Sequence, residues 1–305
     1  MNNLLRLIGR RLVALPIMVV GVSFLVFFIM SLSPIDPAYS ALGETATPEA
    51  LEEYRVQHGL NDSFFVQYGR YLWNMLHGDL GTYGVGTSNH VSDLVAQALP
   101  VTLQLTFLGL LFAVLLSFPL GVLAALYRDR WPDQVIRVFS VIGIGTPSFW
   151  LAALMVLGFV GTLPVSGPLP ALTEDPSGWF LRMLLPSIAL AVPVVGQMTR
   201  VVRTSMVEEL DRDYVRTAIG GGIPKRIVVA RNVLRNALIT PVTVLGLRIG
   251  YLMGGAVVIE IIFSIDGMGK VLLKGIQENW VTLVQGGALV VAIAFIVVNI
   301  IVDML

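Results

Sequence analysis

The chain has 305 residues, 55% of them hydrophobic and 13% charged, with a mean hydropathy of +0.80. Soluble domains carry about 25% charged residues, so a soluble enzyme is excluded, and 20 Lys+Arg against 20 Asp+Glu lacks the basic excess of a nucleic-acid binder. The absence of cysteine excludes disulfides and thiolate metal sites.

A membrane span takes about 20 mostly apolar residues. Uncharged runs at 12–35, 94–127, 138–173, 183–199 and 279–302 each predict one. A sixth, 236–259, is interrupted only by Arg248 and reads as one helix carrying a charge. The first run follows Arg6, Arg10 and Arg11 as a secretory signal would, and Ala38-Tyr39-Ser40 faintly resembles a cleavage site, but the run is long enough to span and reads as retained. Placing the N-terminus inside puts 14 of the 20 bases on the cytoplasmic side, as topology by positive charge requires. Residues 33–98 hold eight acids against Arg55 and Arg70 and belong outside. The expected fold is an all-α polytopic membrane protein of six transmembrane helices, one domain over 1–305, with both termini cytoplasmic. The abrupt end at Asp303-Met304-Leu305 suggests a truncated or disordered tail.

Two segments exceed simple turns. In 33–98, Thr47-Pro48-Glu49 and Asp62-Ser63 open helices and Gly78 to Gly86 punctuates, predicting a small extracytoplasmic cap. In 205–235, a densely charged cytoplasmic loop reads as two short helices broken at Gly220-Gly221-Gly222, with Pro224 suited to the first turn of the second. Such a loop is built either to meet a partner or simply to obey topology.

Missing motifs narrow the function. There is no G-x-x-x-x-G-K-[ST], hence no P-loop, and no H-E-x-x-H. Gly81-Thr82-Tyr83-Gly84-Val85-Gly86 lacks the spacing of a dinucleotide loop. His58, His77 and His90 fall outside the spans at intervals that suggest no metal geometry, and read as surface or locally hydrogen-bonded residues. No cofactor is expected. A membrane-embedded enzyme would need paired carboxylates, and Asp36, Asp79 and Asp93 are too dispersed to nominate a pair. A secondary transporter would need ionisable groups inside its spans, where Arg248 alone stands well inside.

Three stretches carry a resemblance. Leu32-Ser33-Pro34-Ile35-Asp36-Pro37-Ala38 is followed by Gly59-Leu60, Gln67-Tyr68 and Gly78-Asp79-Leu80-Gly81. Asp213-Tyr214-Val215-Arg216-Thr217-Ala218 runs through Gly222 to Leu234-Arg235-Asn236-Ala237-Leu238. Gly254-Gly255-Ala256-Val257-Val258 precedes Glu260, Phe263-Ser264 and Gly267-Met268-Gly269, with Asn299 and Asp303 in the last span. In order and spacing the chain resembles the permease subunits of dipeptide/oligopeptide/nickel-class ABC importers. Departures are Ile35 in place of glycine, Ile219-Gly220-Gly221 in place of a basic trio, Pro241 one position late, and Arg248 in place of a neutral residue.

The resemblance implies the six-helix type I ABC importer fold and a subunit without its own ATPase site. Its partners would be a second homologous permease, two ATP-binding subunits, an extracytoplasmic substrate-binding protein and membrane lipid. Asp213, Tyr214, Val215, Arg216, Ala218, Gly222 and Arg226 would form the ATPase-coupling element, with Tyr214, Val215 and Ala218 as apolar contacts and Arg212, Arg216 and Arg226 pairing with acids. The importer would sit in a bacterial or archaeal inner membrane. Arg248, by its own depth near the middle of the sixth span, would face the translocation pathway or pair with an acid on this chain or the second permease, and Glu260 is placed on the same pathway. Peptide is the substrate expected from the family, with nickel or metal chelates, glutathione or another small solute as alternatives.

Overall fold

The computed structural model describes residues 2–43, 45–85 and 89–304, with side chains from 14 to 301. Glu44, Gly86, Leu305 and the side chains of Arg6, Arg10, Arg11 and Asp303, which entered the sequence reading, lie outside the described residues.

In chain order the helices are α1 (Asn2–Ser31), α2 (Pro37–Leu42), α3 (Pro48–His58) and α4 (Phe64–Leu76), then a two-strand hairpin, β1 (Thr82–Tyr83) and β2 (Asn89–His90). There follow α5 (Val91–Leu126), α6 (Trp131–Gly145), α7 (Ser148–Phe159), α8 (Pro176–Leu210), α9 (Asp213–Gly220) and α10 (Lys225–Val228). A π turn (Val229–Val233) leads into α11 (Leu234–Ala237), α12 (Ile239–Ile262), α13 (Met268–Gln277) and α14 (Val281–Met304). Among the described residues, five helices are long and apolar enough to cross a membrane: α1, α5, α8, α12 and α14.

The third expected span departs from the reading. It is two helices, α6 and α7, bent by 98°. Pro147 supplies no N–H and pushes Thr146 out of the helical region, to φ −90 and ψ 113. Helix α7 ends at Phe159, so 160–173 is not span. Helix α8 runs well past the uncharged 183–199, because its polar C-terminal half is amphipathic and keeps a buried face through Met206. Its start is fixed by Asp175, whose carboxylate accepts from the Gly178 N–H (2.9 Å); that bond and one from Ser177 hold the Asp175 carboxyl below its ordinary range.

The chain divides into two compact units. The first comprises residues 1–102 and 266–305. Here Thr47 caps α3 as the sequence suggests, whereas Ser63 precedes α4 without a side-chain cap bond. Aromatic residues seat α4 on α1: Phe24 lies edge-on to Tyr68 (5.3 Å between centroids) and Phe27 edge-on to Phe64 (5.3 Å). Val91, Val95, Ala98, Met268, Val271 and Leu283 form its core. Of the acids of 33–98, Asp36 receives both Nε and Nη2 of Arg55 (3.0 and 2.5 Å) and Asp62 pairs with Arg70 (2.6 Å).

The second unit, residues 103–265, is built on α8. Helix α6 packs against it through glycine: a Cβ at Gly196 would lie 2.5 Å from the Ser140 carbonyl oxygen, and one at Gly121 of α5 would lie 2.5 Å from Val202 Cβ. Small residues let backbones approach where lipid gives no hydrophobic drive to associate. A second core joins Val202 and Met206 of α8 to Val215, Val228, Val233 and Ala237. The π turn explains how Val228 and Val233, five apart, share that core. In an α-helix they would stand about 140° apart, but i→i+5 bonding brings them into phase, as the Leu234 N–H bond to the Val229 carbonyl shows.

Candidate functional site

The segment from α9 to α11 is seated on α8 by polar and apolar contacts. Glu209 Oε1 accepts from the Tyr214 hydroxyl (2.8 Å) and from Asn236 Nδ2 (3.2 Å), tying α8, α9 and α11 at one carboxylate. Partial burial, then the bond to Glu209, push the Tyr214 phenol up. Gly222 turns the chain at φ 87, a conformation natural to glycine, with open space where a Cβ would stand. Pro224 is the residue before the first turn of α10, with ψ 132, and not within that turn as expected.

These contacts decide which side chains face outward. Val215 is buried in the unit's own core and Ala218 packs partly against it, while Tyr214 turns its hydroxyl to Glu209. The apolar contacts assigned to Tyr214 and Val215 are therefore internal. The outward face carries instead Ile219, Ile223 and Ile227, all exposed, among exposed Asp213, Arg216, Gly222, Lys225 and Arg226. Arg212 lies 3.7 Å from Glu209 and Arg216 4.0 Å from Asp213, loose pairs on an open surface. Ile219 lies in α9, Ile223 in the turn and Ile227 in α10, so their spacing of four is not a helical stripe and does not announce their exposure.

Arg248 and Glu260 are not brought together. Twelve residues along α12 separate them by about 18 Å and about 120° around the helix. Arg248 is half-buried, with its Nε buried and without a hydrogen-bond partner among the described residues. Glu260 is 0% exposed, inside the second unit, on a helix that also buries Ala256 and Ile259.

Two further charge sites, each near the end of its helix, escape a reading of the sequence. Arg182, 1% exposed, donates to the carbonyls of Val165 (3.1 Å), Gly167 (3.2 Å) and Phe263 (2.5 Å), joining α8 to the 160–167 segment and the end of α12. It borders the uncharged run that begins at Met183. Asp133, 0% exposed, accepts Arg203 Nε and Nη2 (2.6 and 2.7 Å), Arg137 Nη2 and the Asp129 N–H (both 3.0 Å). Arg128 reaches Asp211 (2.8 Å), so two ion pairs strap the α5–α6 corner to α8. His58, His77 and His90 line one depression of the first unit with Asp79 and Asp93, yet among the described residues no group is arranged to hold a metal ion.

Residues 117–305 match the family described as binding-protein-dependent transport system inner membrane component, and residues 4–106 match its N-terminal counterpart. A Brucella suis biovar 1 protein named as a permease of a peptide transport system is 38% identical, over 96% of this chain and 93% of its own. The dipeptide transport system permease DppB of Alkalihalophilus pseudofirmus is 33% identical (97% and 95% covered), and the glutathione transport system permease GsiC of Salmonella paratyphi A is 35% identical (99% and 96%). With its long apolar helices, the chain belongs to the family of multi-pass inner membrane components of binding-protein-dependent ABC transport systems.

Proposed function

We propose that this chain is the membrane-spanning permease subunit of an ATP-driven importer that takes peptides from an extracytoplasmic binding protein into the cytoplasm. The observation that carries it is the near full-length match to permeases named for peptide, dipeptide and glutathione transport, glutathione being itself a small peptide. Its partners are two ATP-binding subunits, a substrate-binding protein and a second permease of the same kind; energy comes from those ATPases. Both termini are cytoplasmic and residues 33–98 lie outside. Acid without an ion-pair partner there among the described residues, such as Glu49, Asp79 and Asp93, favours a basic partner surface. Purification tests the reading. The chain should carry two ATPase chains with it, and reconstituted complex should take up dipeptide on ATP addition; a lone chain active without ATP would overturn it.

The coupling element in this reading is the outward face of α9 and α10. Asp213, Arg216, Gly222 and Arg226 remain on it, joined by Ile219, Ile223 and Ile227, while Tyr214, Val215 and Ala218 hold it to α8. Exposed isoleucines among bases suit a hydrophobic cleft with an acidic rim on the ATPase. Ile223→Asp and Arg226→Glu should each lower ATPase co-purification at least tenfold without lowering the melting temperature, as about 1.4 kcal/mol of lost interface per decade requires. Equal recovery of ATPase with both variants would place the docking surface elsewhere.

Arg248 lines the pathway in this reading. It lies about 14 Å into a helix that crosses a hydrocarbon core about 30 Å thick, where an arginine facing lipid costs about 2.5 to 3.5 kcal/mol. The residue is only half-buried, and a guanidinium end that reaches the pathway would hold the carboxylate of a passing peptide. Arg248→Gln should change dipeptide uptake rate or preference for amidated over free peptides while assembly persists; unchanged transport would remove the assignment.

A further inference from the structure

The first unit contains a preformed socket. A cavity of about 190 Å³ is walled by Leu42 of α2, Tyr54 and His58 of α3, Tyr83 of β1, and Trp280 and Thr282 at the start of α14. Cavities of about 150 Å³ already admit a benzene ring, so this one is large enough for an aromatic or branched aliphatic side chain. Its walls are held from outside. The Asp36–Arg55 fork ties α2 to α3, and Ser40 Oγ donates to the Asn279 carbonyl (2.6 Å), tying α2 to the turn before α14. Tyr54 stacks on His58 (3.8 Å between centroids), Tyr83 tilts against Trp280 (5.2 Å), and the Lys274 ammonium lies over both of the latter rings. Gly81 allows the hairpin to close, since a Cβ there would stand 2.5 Å from Thr282 Cγ2.

The socket opens beside a broader polar depression of about 660 Å³ that shares Tyr54, His58, Thr82 and Thr282 with it and carries Asp79 and Asp93. Both acids are exposed, and neither has an ion-pair partner among the described residues. A pocket with aromatic walls opening beside an acidic depression offers an anchor site of the kind at which a few residues carry most of an interface's energy, with charge to set the orientation.

We propose that this socket receives one aromatic or branched aliphatic side chain of the substrate-binding protein, flanked on that protein by Lys or Arg residues that meet Asp79 and Asp93. The proposal rests on the reading of residues 33–98 as the outside insertion of a binding-protein-dependent importer. Charge complementarity selects the occupant: a lipid tail would fill the socket but leave the carboxylates facing like charge on anionic headgroups.

The test uses the whole complex in nanodiscs, titrated with loaded binding protein and read as the half-saturating concentration for ATPase stimulation. Ala41→Trp, which fills the socket from α2, should raise that concentration at least tenfold. Asp79→Lys with Asp93→Lys should raise it at low salt and abolish the wild type's salt dependence, since the screening length is about 8 Å at physiological ionic strength. Wild-type half-saturation in either variant would overturn the proposal. Should Ala41→Trp fail to assemble, a photocrosslinker at Thr82 decides: adducts at a basic, aromatic patch of the binding protein support the socket, and adducts to lipid alone overturn it. A wild-type complex that no binding protein stimulates would remove the importer reading itself, an outcome distinct from unchanged variants in a stimulated complex.

Discussion

Asp133→Ala will cost the second unit about 3 to 5 kcal/mol, the usual consequence of stripping one partner from a buried ion pair. The carboxylate is fully buried and serves two arginines and a backbone N–H. Arg137 is half exposed and can turn to water, but Arg203 is only 22% exposed and would keep an uncompensated charge against α6. Total stabilities run about 5 to 15 kcal/mol, so a large share of the margin is lost and the melting temperature in detergent should fall clearly. Arg203→Met should do comparable harm, leaving Asp133 buried with weaker support. The double variant Asp133→Leu/Arg203→Met should recover most of the loss, because apolar residues of similar volume replace a buried pair at little cost. Thermal melting of the three proteins checks this, and a double variant as damaged as the sum of the singles would mean that the two side chains do not act as a pair.

Gly196→Val will separate α6 from α8. Even the first added carbon would lie 2.5 Å from the Ser140 carbonyl oxygen and 3.0 Å from the Ile144 nitrogen; both are backbone atoms, which cannot rotate aside. Overpacking of this kind costs about 1 to 3 kcal/mol, and here it falls on a close backbone approach between the two helices. Gly158→Ala in α7 is the internal control. A Cβ at Gly158 would meet nothing within 4 Å, so alanine should be neutral or stabilise by up to about 1 kcal/mol. Melting temperatures should fall for Gly196→Val and hold or rise for Gly158→Ala; equal behaviour would show that glycine packing does not set the α6–α8 distance.

What the sequence discloses follows the range of its signals. Gaps between charges place α1, α5, α8, α12 and α14, because burial of charge in lipid is expensive over any 20 or so residues. The local cap at Thr47 and the turn at Gly222 are equally readable. The break in the third span is hidden by an apolar composition that is uniform across the bend; Pro147 is the available signal, since the residue before proline avoids the helical region. The candidate site is legible as a segment but not as a face. Val215 and Tyr214 look like partner contacts until Glu209, Met206 and Val233 are placed around them. Asp133 and Arg203 are 70 residues apart, and no local pattern announces their meeting. Likewise the three histidines, at intervals of 19 and 13 in the chain, share a depression only because α3, α4 and the hairpin fold onto one another.

The π turn has a consequence for how chain length can vary in this region. It holds one residue more than an α-helical turn while Val228 on one side and Val233 on the other keep to a common core. A deletion confined to it, for instance of Ala230, would convert the segment to continuous α-helix with Val228 and the following core valine four apart, the natural α spacing. The faces on either side would stay in phase. The same deletion inside α12 would turn everything beyond it by about 100° and carry Glu260 out of its packed face. Loss of a single residue therefore has a permitted address here, between Val228 and Leu234, where the fold stores its slack.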